Sequence, residues 1–319
     1  MKNIYVIISL ILIFFMLLLP LLSLKKAEGP SGEKGSVTVS GELEQKNAQI
    51  SVYISESGKT EKMDVGEYIF GVVAAEMPAL YNEEALKAQA VAAYTYALYR
   101  AETNKDKEYD ITDSPSSDQC FITAEKAREK WGEKAAEYEE KIRGAVSAVA
   151  GEYLSYNGKP ALALYHAISG GKTENSSLVF GQELPYLVSK ESVGDLTANG
   201  YSSSAEFTST EFKERLKESV SFSKSEGEWI EAVNKSENGY VKSVSICGKS
   251  LSGVEIRELF ALRSANFDLE YKNEKFVFSV RGYGHGVGMS QAGANFMAGQ
   301  GNTYKEILLW YYSGCEISK

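Results

Sequence analysis

The stretch from Asp64 to Ala101, "DVGEYIFGVVAAEMPALYNEEALKAQAVAAYTYALYRA", reads as two helices interrupted by a proline. Asp64 stands where an N-cap acceptor belongs, and Glu67, three residues on, completes a capping-box pattern. Pro78 ends the first run, because its ring pushes Met77 out of helical geometry. Asn82 is placed to cap the second run, whose alanines suit close helix packing. Glu76 therefore falls in the last turn of the first helix, where the macrodipole disfavours a second anion. Its neighbours Val72, Val73, Ala75 and Met77 are apolar and strip it of water. Both effects raise a carboxyl pKa, and a carboxylic acid still protonated near neutral pH can act as a general acid. The competing reading is a surface carboxylate at a helix end.

Outward from this pair, "ISVYIS" alternates as a strand and "SESGKT" reads as a turn, so folded structure is expected from Gln49. A long charged helix is expected from Glu125 to Ala148; "EKAREKWGEKAAEYEEK" within it reads as a solvated face with opposite charges near one another. Strand-like pieces follow in "GEYLSYNG" and "ALALYHAISGG". Ser252 with Glu255, and Thr303 with Glu306, form capping boxes that open "GVEIRELFAL" and "YKEILLWYY". "KFVFSVRG" alternates as a strand. Helices and strands intersperse without a regular βαβ repeat, which predicts an α+β fold of mixed helices and antiparallel-rich strands forming a groove. Tyr94, Tyr96, Tyr99, Tyr311 and Tyr312 read first as core or interface residues rather than sugar platforms.

The N-terminus, "MKNIYVIISLILIFFMLLLPLLSLKK", is almost purely apolar from Ile4 to Leu24, long enough for a membrane-spanning helix and lacking a small-residue cleavage site. The expected organisation is an uncleaved anchor over 1–26, a polar linker over 27–48 and an extracytoplasmic domain over 49–319, at the cell membrane with the short N-terminus in the cytoplasm. The linker "KKAEGPSGEKGS" has too little apolar surface to fold, and "SVTVSGELEQ" adds a possible strand. With 319 residues, of which 44% are hydrophobic, the chain can bury a substantial core in one large domain or two smaller ones. A net charge of −9, with 43 acidic against 34 basic residues and no basic run, argues against nucleic acid as a partner. Cys120, Cys247 and Cys315 are an odd, widely spaced set that fits neither a disulfide scaffold nor a zinc ribbon.

"RGYGHGVGMSQAGAN", Arg281 to Asn295, sets glycine at 282, 284, 286 and 288 and holds one of the two histidines of the chain. No spacing in it gives the dinucleotide fingerprint G-x-G-x-x-G. Glycines permit unusual backbone angles and close approach to a ligand, so exposed backbone groups with Ser290 and Gln291 are expected to read a polymer rich in hydroxyls and amides. His285 would orient a substrate group or bond near Glu76, or else be a loop histidine satisfied by local backbone. His166, before "SGG", is the second candidate. As a metal pair the two histidines lack a third ligand.

"EYIFGVVAAEMPALYNEEALKAQAVAAYTYAL", "YHAISGGKTEN" and "GYGHGVGMSQAGANFMA", in that order, resemble the stage II sporulation protein D family, membrane-anchored lytic transglycosylases that thin peptidoglycan in forespore engulfment. The resemblance runs from about Ile50 to the C-terminus. It implies Glu76, of "EMP", as catalytic acid. It places Lys87 and Gln89 of "EALKAQA" on the same groove and matches Gln119 to a family glutamine. It implies a glycan cleft lined by Tyr165, His166, Ser169, Gly170, Gly171 and Thr173, and by His285, Gly286, Ser290 and Gln291. Where the family often has Arg in "AARTYA", this chain has Tyr94. Some members bind zinc through paired histidines and cysteines; the matching "YDITDSPSSDQCFI" has only Cys120, so no metal or other cofactor is expected.

Ordinary glycosidases need two carboxyl groups. Cleavage after N-acetylmuramic acid differs, because the sugar's own six-position hydroxyl can attack the anomeric carbon and spare the entropy of recruiting water. One carboxyl then suffices, leaving anhydromuramic ends. The expected partners are peptidoglycan glycan strands, the membrane, and a peptidoglycan amidase or endopeptidase with other engulfment proteins. Two alternatives stand beside the lytic transglycosylase: a non-catalytic wall-binding activator of an amidase, and a metal-dependent hydrolase.

Overall fold

The computed structural model describes residues 48–319. The anchor, the linker up to residue 47 and the strand over "SVTVSGELEQ" lie outside the described residues. Among the described residues no helix is long and apolar enough to cross a membrane.

Strand β1 (Gln49–Ile54) pairs antiparallel with β2 (Lys59–Asp64) through the expected turn. β2 runs directly into helix α1 (Val65–Glu76), where the Asp64 side chain accepts from the Glu67 N–H at 3.2 Å. The Glu67 carboxylate pairs with Arg143 at 2.6 Å rather than turning back to the cap. Met77 closes the helix in extended geometry (φ −118°, ψ 140°), as a residue before proline must. α2 (Glu83–Thr103) follows, but the Asn82 side chain makes no capping bond. Its amide donates instead to Asn295 Oδ1 at 2.9 Å, a partner 213 residues away that local spacing cannot announce.

β3 (Ile111–Thr112) joins β1 in parallel. The single charged helix expected over 125–148 is two, α3 (Ala124–Trp131) and α4 (Ala135–Ala148). Gly132 breaks it at φ 55°, ψ −125°, a conformation that side chains rarely adopt. Trp131 and Tyr138 meet edge to face across the break at 5.9 Å. Glu139 collects Arg128 at 2.6 Å and Arg143 at 2.8 Å, in line with the charged-face reading.

α2 runs through the larger of two hydrophobic cores, with Ala85, Leu86, Ala88, Ala92 and Ala93 fully buried. Small side chains let it lie close to α1 and α4, and full burial of Leu86 alone contributes about 1.5–3 kcal/mol. The chain continues through β4 (Tyr153–Tyr156), β5 (Lys159–Pro160), β6 (Tyr165–His166) and the short α5 (Ser176–Phe180).

Residues 202–281 enclose the second core. β7 (Ser202–Thr208) and α6 (Ser209–Leu216) precede the antiparallel meander of β8 (Ile230–Lys235), β9 (Val241–Ile246) and β10 (Lys249–Ser252). After α7 (Gly253–Leu259), β11 (Phe267–Lys272) and β12 (Lys275–Arg281) complete an antiparallel sheet in the order β11-β12-β7. Phe212 stacks on Phe276 at 3.9 Å, and Trp229 lies on Phe276 at 5.4 Å.

The chain then returns to the first core through β13 (Met289–Ser290), α8 (Gln291–Gly299), α9 (Tyr304–Tyr311) and β14 (Glu316–Ser318), which pairs with β4. Tyr311 and Tyr312 are core residues. The mixed α+β expectation holds, with antiparallel pairs dominant and β1–β3 and β6–β13 parallel. Of the three expected capping boxes, those at Ser252 and Thr303 form and the one at Asp64 is only half made; an unexpected one, Thr208 with Glu211, opens α6. Thr303→Ala removes the acceptor at the start of α9 and is expected to cost about 1 kcal/mol in urea denaturation.

Candidate active site

Glu76 is brought to its place by Pro78, which ends α1 at Glu76 and opens the loop over 77–82 instead of letting the carboxyl continue along a helix face. The segment after Asp118 runs alongside α1, with Ile122 N–H on the Gly71 carbonyl at 3.3 Å. That alignment points the Cys120 N–H at Glu76 Oε1, 2.9 Å away. The Gln291 side-chain amide lies beside the same carboxylate and favours its ionised form. Burial raises the Glu76 pKa, and these two donors pull it partly back. Among the described residues no Lys or Arg forms an ion pair with it.

A wall of amides and phenols stands around this carboxyl. Gln291 Nε2 donates to Gln89 Oε1 at 3.3 Å; an amide nitrogen has two hydrogens, so it can serve Gln89 and Glu76 together. Gln119 Nε2 donates to the Tyr68 hydroxyl at 3.0 Å and the Ala93 carbonyl at 3.2 Å, while its Oε1 accepts from the Tyr165 hydroxyl at 2.8 Å. The Tyr165 phenol is held well above its ordinary pKa, first by burial and then by the Glu76 charge. Gln89, Gln119, Tyr165 and Gln291 are thus gathered with Glu76. Lys87 is not among them: its Nζ pairs with Glu83 and Glu84 at 2.8 Å, and Glu84 in turn accepts the Tyr304 N–H at 2.7 Å. It ties α2 to the start of α9. Tyr94 is buried and lines a cavity of about 620 Å³ at the other end of α1, with Phe70 and Arg143. Glu76 lines neither this cavity nor a second one of about 300 Å³ beside Phe296 and Trp310. It keeps part of its surface exposed, next to the exposed Pro78 and Leu80.

The alternating glycines have an internal explanation. Gly282, Gly284, Gly286 and Gly288 all take positive φ, between 72° and 110°. A Cβ at Gly288 would lie 1.9 Å from the Leu164 carbonyl oxygen, and one at Gly286 would lie 2.2 Å from the Tyr240 hydroxyl. Their neighbours pair with the chain itself: Tyr283 N–H bonds the Ile168 carbonyl at 2.7 Å, and Met289 N–H bonds Leu164 at 3.1 Å. The close approach expected toward a ligand is therefore made toward residues 164–169 and Tyr240.

The same lattice holds both histidines. His166 Nδ1–H donates to the Val287 carbonyl at 3.1 Å, and His285 Nδ1 accepts the Val287 N–H at 3.1 Å. His285 is tied on its other side to the Tyr165 backbone, and the rings lie 5.6 Å apart. Among the described residues, His166 Nε2 has no hydrogen-bond partner. Burial lowers His166 to about 3 and His285 to about 4, with the His285 and Arg257 charges as the respective next causes. Both rings are then neutral at physiological pH, and their NMR ring-proton shifts are expected to stay flat from pH 5.5 to 8. Because the folded values lie below the ordinary 6.5, this contribution to stability is present above pH 6.5 and fades as pH falls toward 4.

Ser169 and Ser290, expected to face a glycan, are fully buried and both donate to Asp195, which is itself inaccessible. Thr173 is likewise internal, its hydroxyl accepting from Lys190 N–H at 2.8 Å. Gly170 fits against Asn266, and Gly171 N–H bonds the Ser169 hydroxyl at 3.2 Å. These residues build the wall behind the site rather than its solvent face. Sequence reasoning missed Asp195 and the Cys120 N–H. Asp195 sits in the unremarkable "SVGDLT", and a backbone donor leaves no side-chain signal. Among the described residues no group of three or more His, Cys, Asp and Glu is gathered to hold a metal ion. Cys120 stands there without a histidine, so the zinc set of some relatives does not fit these residues.

A family model described as stage II sporulation protein matches residues 53–156. The chain is 34% identical over 305 residues to stage II sporulation protein D of Bacillus subtilis (strain 168), covering 92% of this chain and 88% of that protein. It is 33% identical over 280 residues to stage II sporulation protein D of Bacillus amyloliquefaciens, covering 87% and 80%. It is also 28% identical over 299 residues to the amidase enhancer of Bacillus subtilis (strain 168), covering 78% of this chain and 40% of that protein.

Proposed function

Because the chain belongs to the stage II sporulation protein D family, we propose that it is a peptidoglycan lytic transglycosylase with Glu76 as its catalytic acid. Glu76 gives its proton to the glycosidic oxygen as the bond after N-acetylmuramic acid breaks. The six-position hydroxyl of the same sugar attacks the anomeric carbon, and its proton passes to the Glu76 carboxylate. Glu76 is restored, no water is consumed, and an anhydromuramic end remains. Cys120 N–H and Gln291 hold the carboxylate in place between the two transfers.

The observation that carries this reading is the contrast among the buried carboxylates. Asp118 is bound by Arg100 at 2.6 Å and by the Thr112 N–H at 2.9 Å. Glu174 is bound by Asn175 N–H at 2.8 Å and Asn238 at 3.0 Å, together with Ser236. Asp195 is bound by three serines. Each is committed to structure; among the described residues Glu76 shares a raised pKa and the absence of an ion-paired cation with Asp195, but Asp195 is sealed from solvent and Glu76 keeps part of its surface exposed. A single available acid suits intramolecular attack better than a two-carboxylate hydrolysis. Lys87, His166, His285, Gly286 and the residues of the wall then act through its shape.

We further propose that the apolar segment over 4–24 anchors the protein in the cell membrane, with the domain outside, where it thins septal peptidoglycan during engulfment. A second reading has its own support, the similarity to an amidase enhancer: a wall-bound activator of a peptidoglycan amidase. Incubating the full chain with glycan strands free of stem peptides separates the two. The transglycosylase releases anhydromuramic ends unaided. An activator leaves the strands intact and only accelerates an added amidase.

A further inference from the structure

Asp195 is a fully buried carboxylate with no lysine or arginine ion-paired to it among the described residues. Its Oδ2 accepts the Ser169 N–H at 2.8 Å and the Ser169 hydroxyl, and its Oδ1 accepts the Ser290 hydroxyl at 2.7 Å. Ser192 completes the set and touches the Tyr311 hydroxyl at 2.7 Å. Holding an anion inside protein costs heavily unless several donors meet it, so this arrangement calls for a reason beyond packing.

The reason lies in what Ser290 does next. It is the N-cap of α8, and its hydroxyl also accepts the Gly293 N–H at 3.2 Å. The residue that follows is Gln291, whose amide reaches Glu76. We propose that Asp195 is a positioning residue for Glu76: by fixing the Ser290 hydroxyl it sets the start of α8 and aims the Gln291 amide at the acid. This rests on the reading of Glu76 as the acid. The chain of contacts runs Asp195, Ser290, Gln291, Glu76. Each member comes from a different sequence region except the adjacent pair.

The Asp195 charge reaches Tyr81, Tyr240 and Tyr311, whose pKa values are raised first by burial and then, among other causes, by that charge. Around Glu76 stand Tyr68 on α1, Tyr165 on β6, Cys120 from the segment beside α1 and Gln291 on α8. Among these, Gln291 is the side chain that stabilises the ionised acid by donation, so slackening its aim should raise the Glu76 midpoint.

The test is carbon-13 carboxyl NMR titration of Glu76 in the full chain in detergent, the resonance assigned by its loss in Glu76→Gln. Asp195→Asn, Ser290→Ala and Gln291→Leu are each expected to move the midpoint upward. Combining Asp195→Asn with Gln291→Leu should move it no further than Gln291→Leu alone, and cleavage should fall roughly 10- to 100-fold. If Asp195→Asn fails to fold, Ser290→Ala decides, since it cuts the same link and leaves the carboxylate. An unmoved midpoint in folded variants, or shifts that add, would overturn the proposal. Wild-type protein that cleaves no glycan would sink the enzymatic reading and leave this titration test standing.

Discussion

Replacing Glu76 by Gln lowers glycan cleavage by roughly 10²–10⁴-fold and yields a folded protein with a higher melting temperature at neutral pH. The loss follows from removing the only proton donor the mechanism uses. Gln keeps an oxygen for the Cys120 N–H, and Gln291 can turn its amide to offer oxygen to the new NH₂. The gain in stability follows from linkage. Burial raises the Glu76 pKa above 4.5, so the folded state holds this proton more tightly than the unfolded state. That contribution is fully present below pH 4.5 and is lost as pH rises through the folded value. As pH rises through the folded value, the wild type increasingly carries an ionised, desolvated carboxylate that the variant never has, so the variant's advantage grows with pH. Trading stability for a poised acid is common at active sites. Thermal unfolding at pH 4 and pH 7.5, alongside a cleavage assay, checks both halves. A variant that cleaves at the wild-type rate removes Glu76 from the mechanism.

Gly288→Ala should be among the most destabilising single changes in the domain. Its Cβ would sit 1.9 Å from the Leu164 carbonyl oxygen, in a residue at φ 72°. Backbone on both sides leaves no flexible side chain to yield. Gly158 supplies the control, with φ 73° and nothing within 4 Å of the added atom. Gly158→Ala then measures the left-handed backbone penalty alone, about 1–2 kcal/mol. Gly288→Ala adds the collision and is expected to cost more than about 4 kcal/mol, a large part of typical domain stability. By opening the packing around Val287 it should also admit water to the His166 and His285 rings, whose pKa values burial holds down, so that these values climb toward 6.5. Equal urea midpoints for the two variants would contradict the packing described here.

Local grammar carried far in this chain. Pro78 and Asp64 place both ends of α1, and with them the acid. The alternation of "KFVFSVRG" and the capping boxes at Ser252 and Thr303 appear where they were expected. What stayed hidden depends on partners distant in sequence. Asn82 looks like a cap until Asn295 claims its amide. Ser169 and Ser290 look like ligand contacts until Asp195 gathers them from 26 and 95 residues away. The alternating glycines signal close approach, and their spacing cannot say whether the chain approaches a sugar or itself. Gly132 could have been read as a break, since glycine is costly inside a helix; the charged periodicity on both sides masked it.

Cleavage of peptide-free glycan strands in heavy-oxygen water, followed by mass spectrometry of the new ends, tests the chemistry most directly. Intramolecular attack, with Glu76 as acid and then base, predicts anhydromuramic ends carrying no heavy oxygen. Reducing muramic ends that have gained heavy oxygen would show water as the nucleophile and contradict the one-carboxylate account.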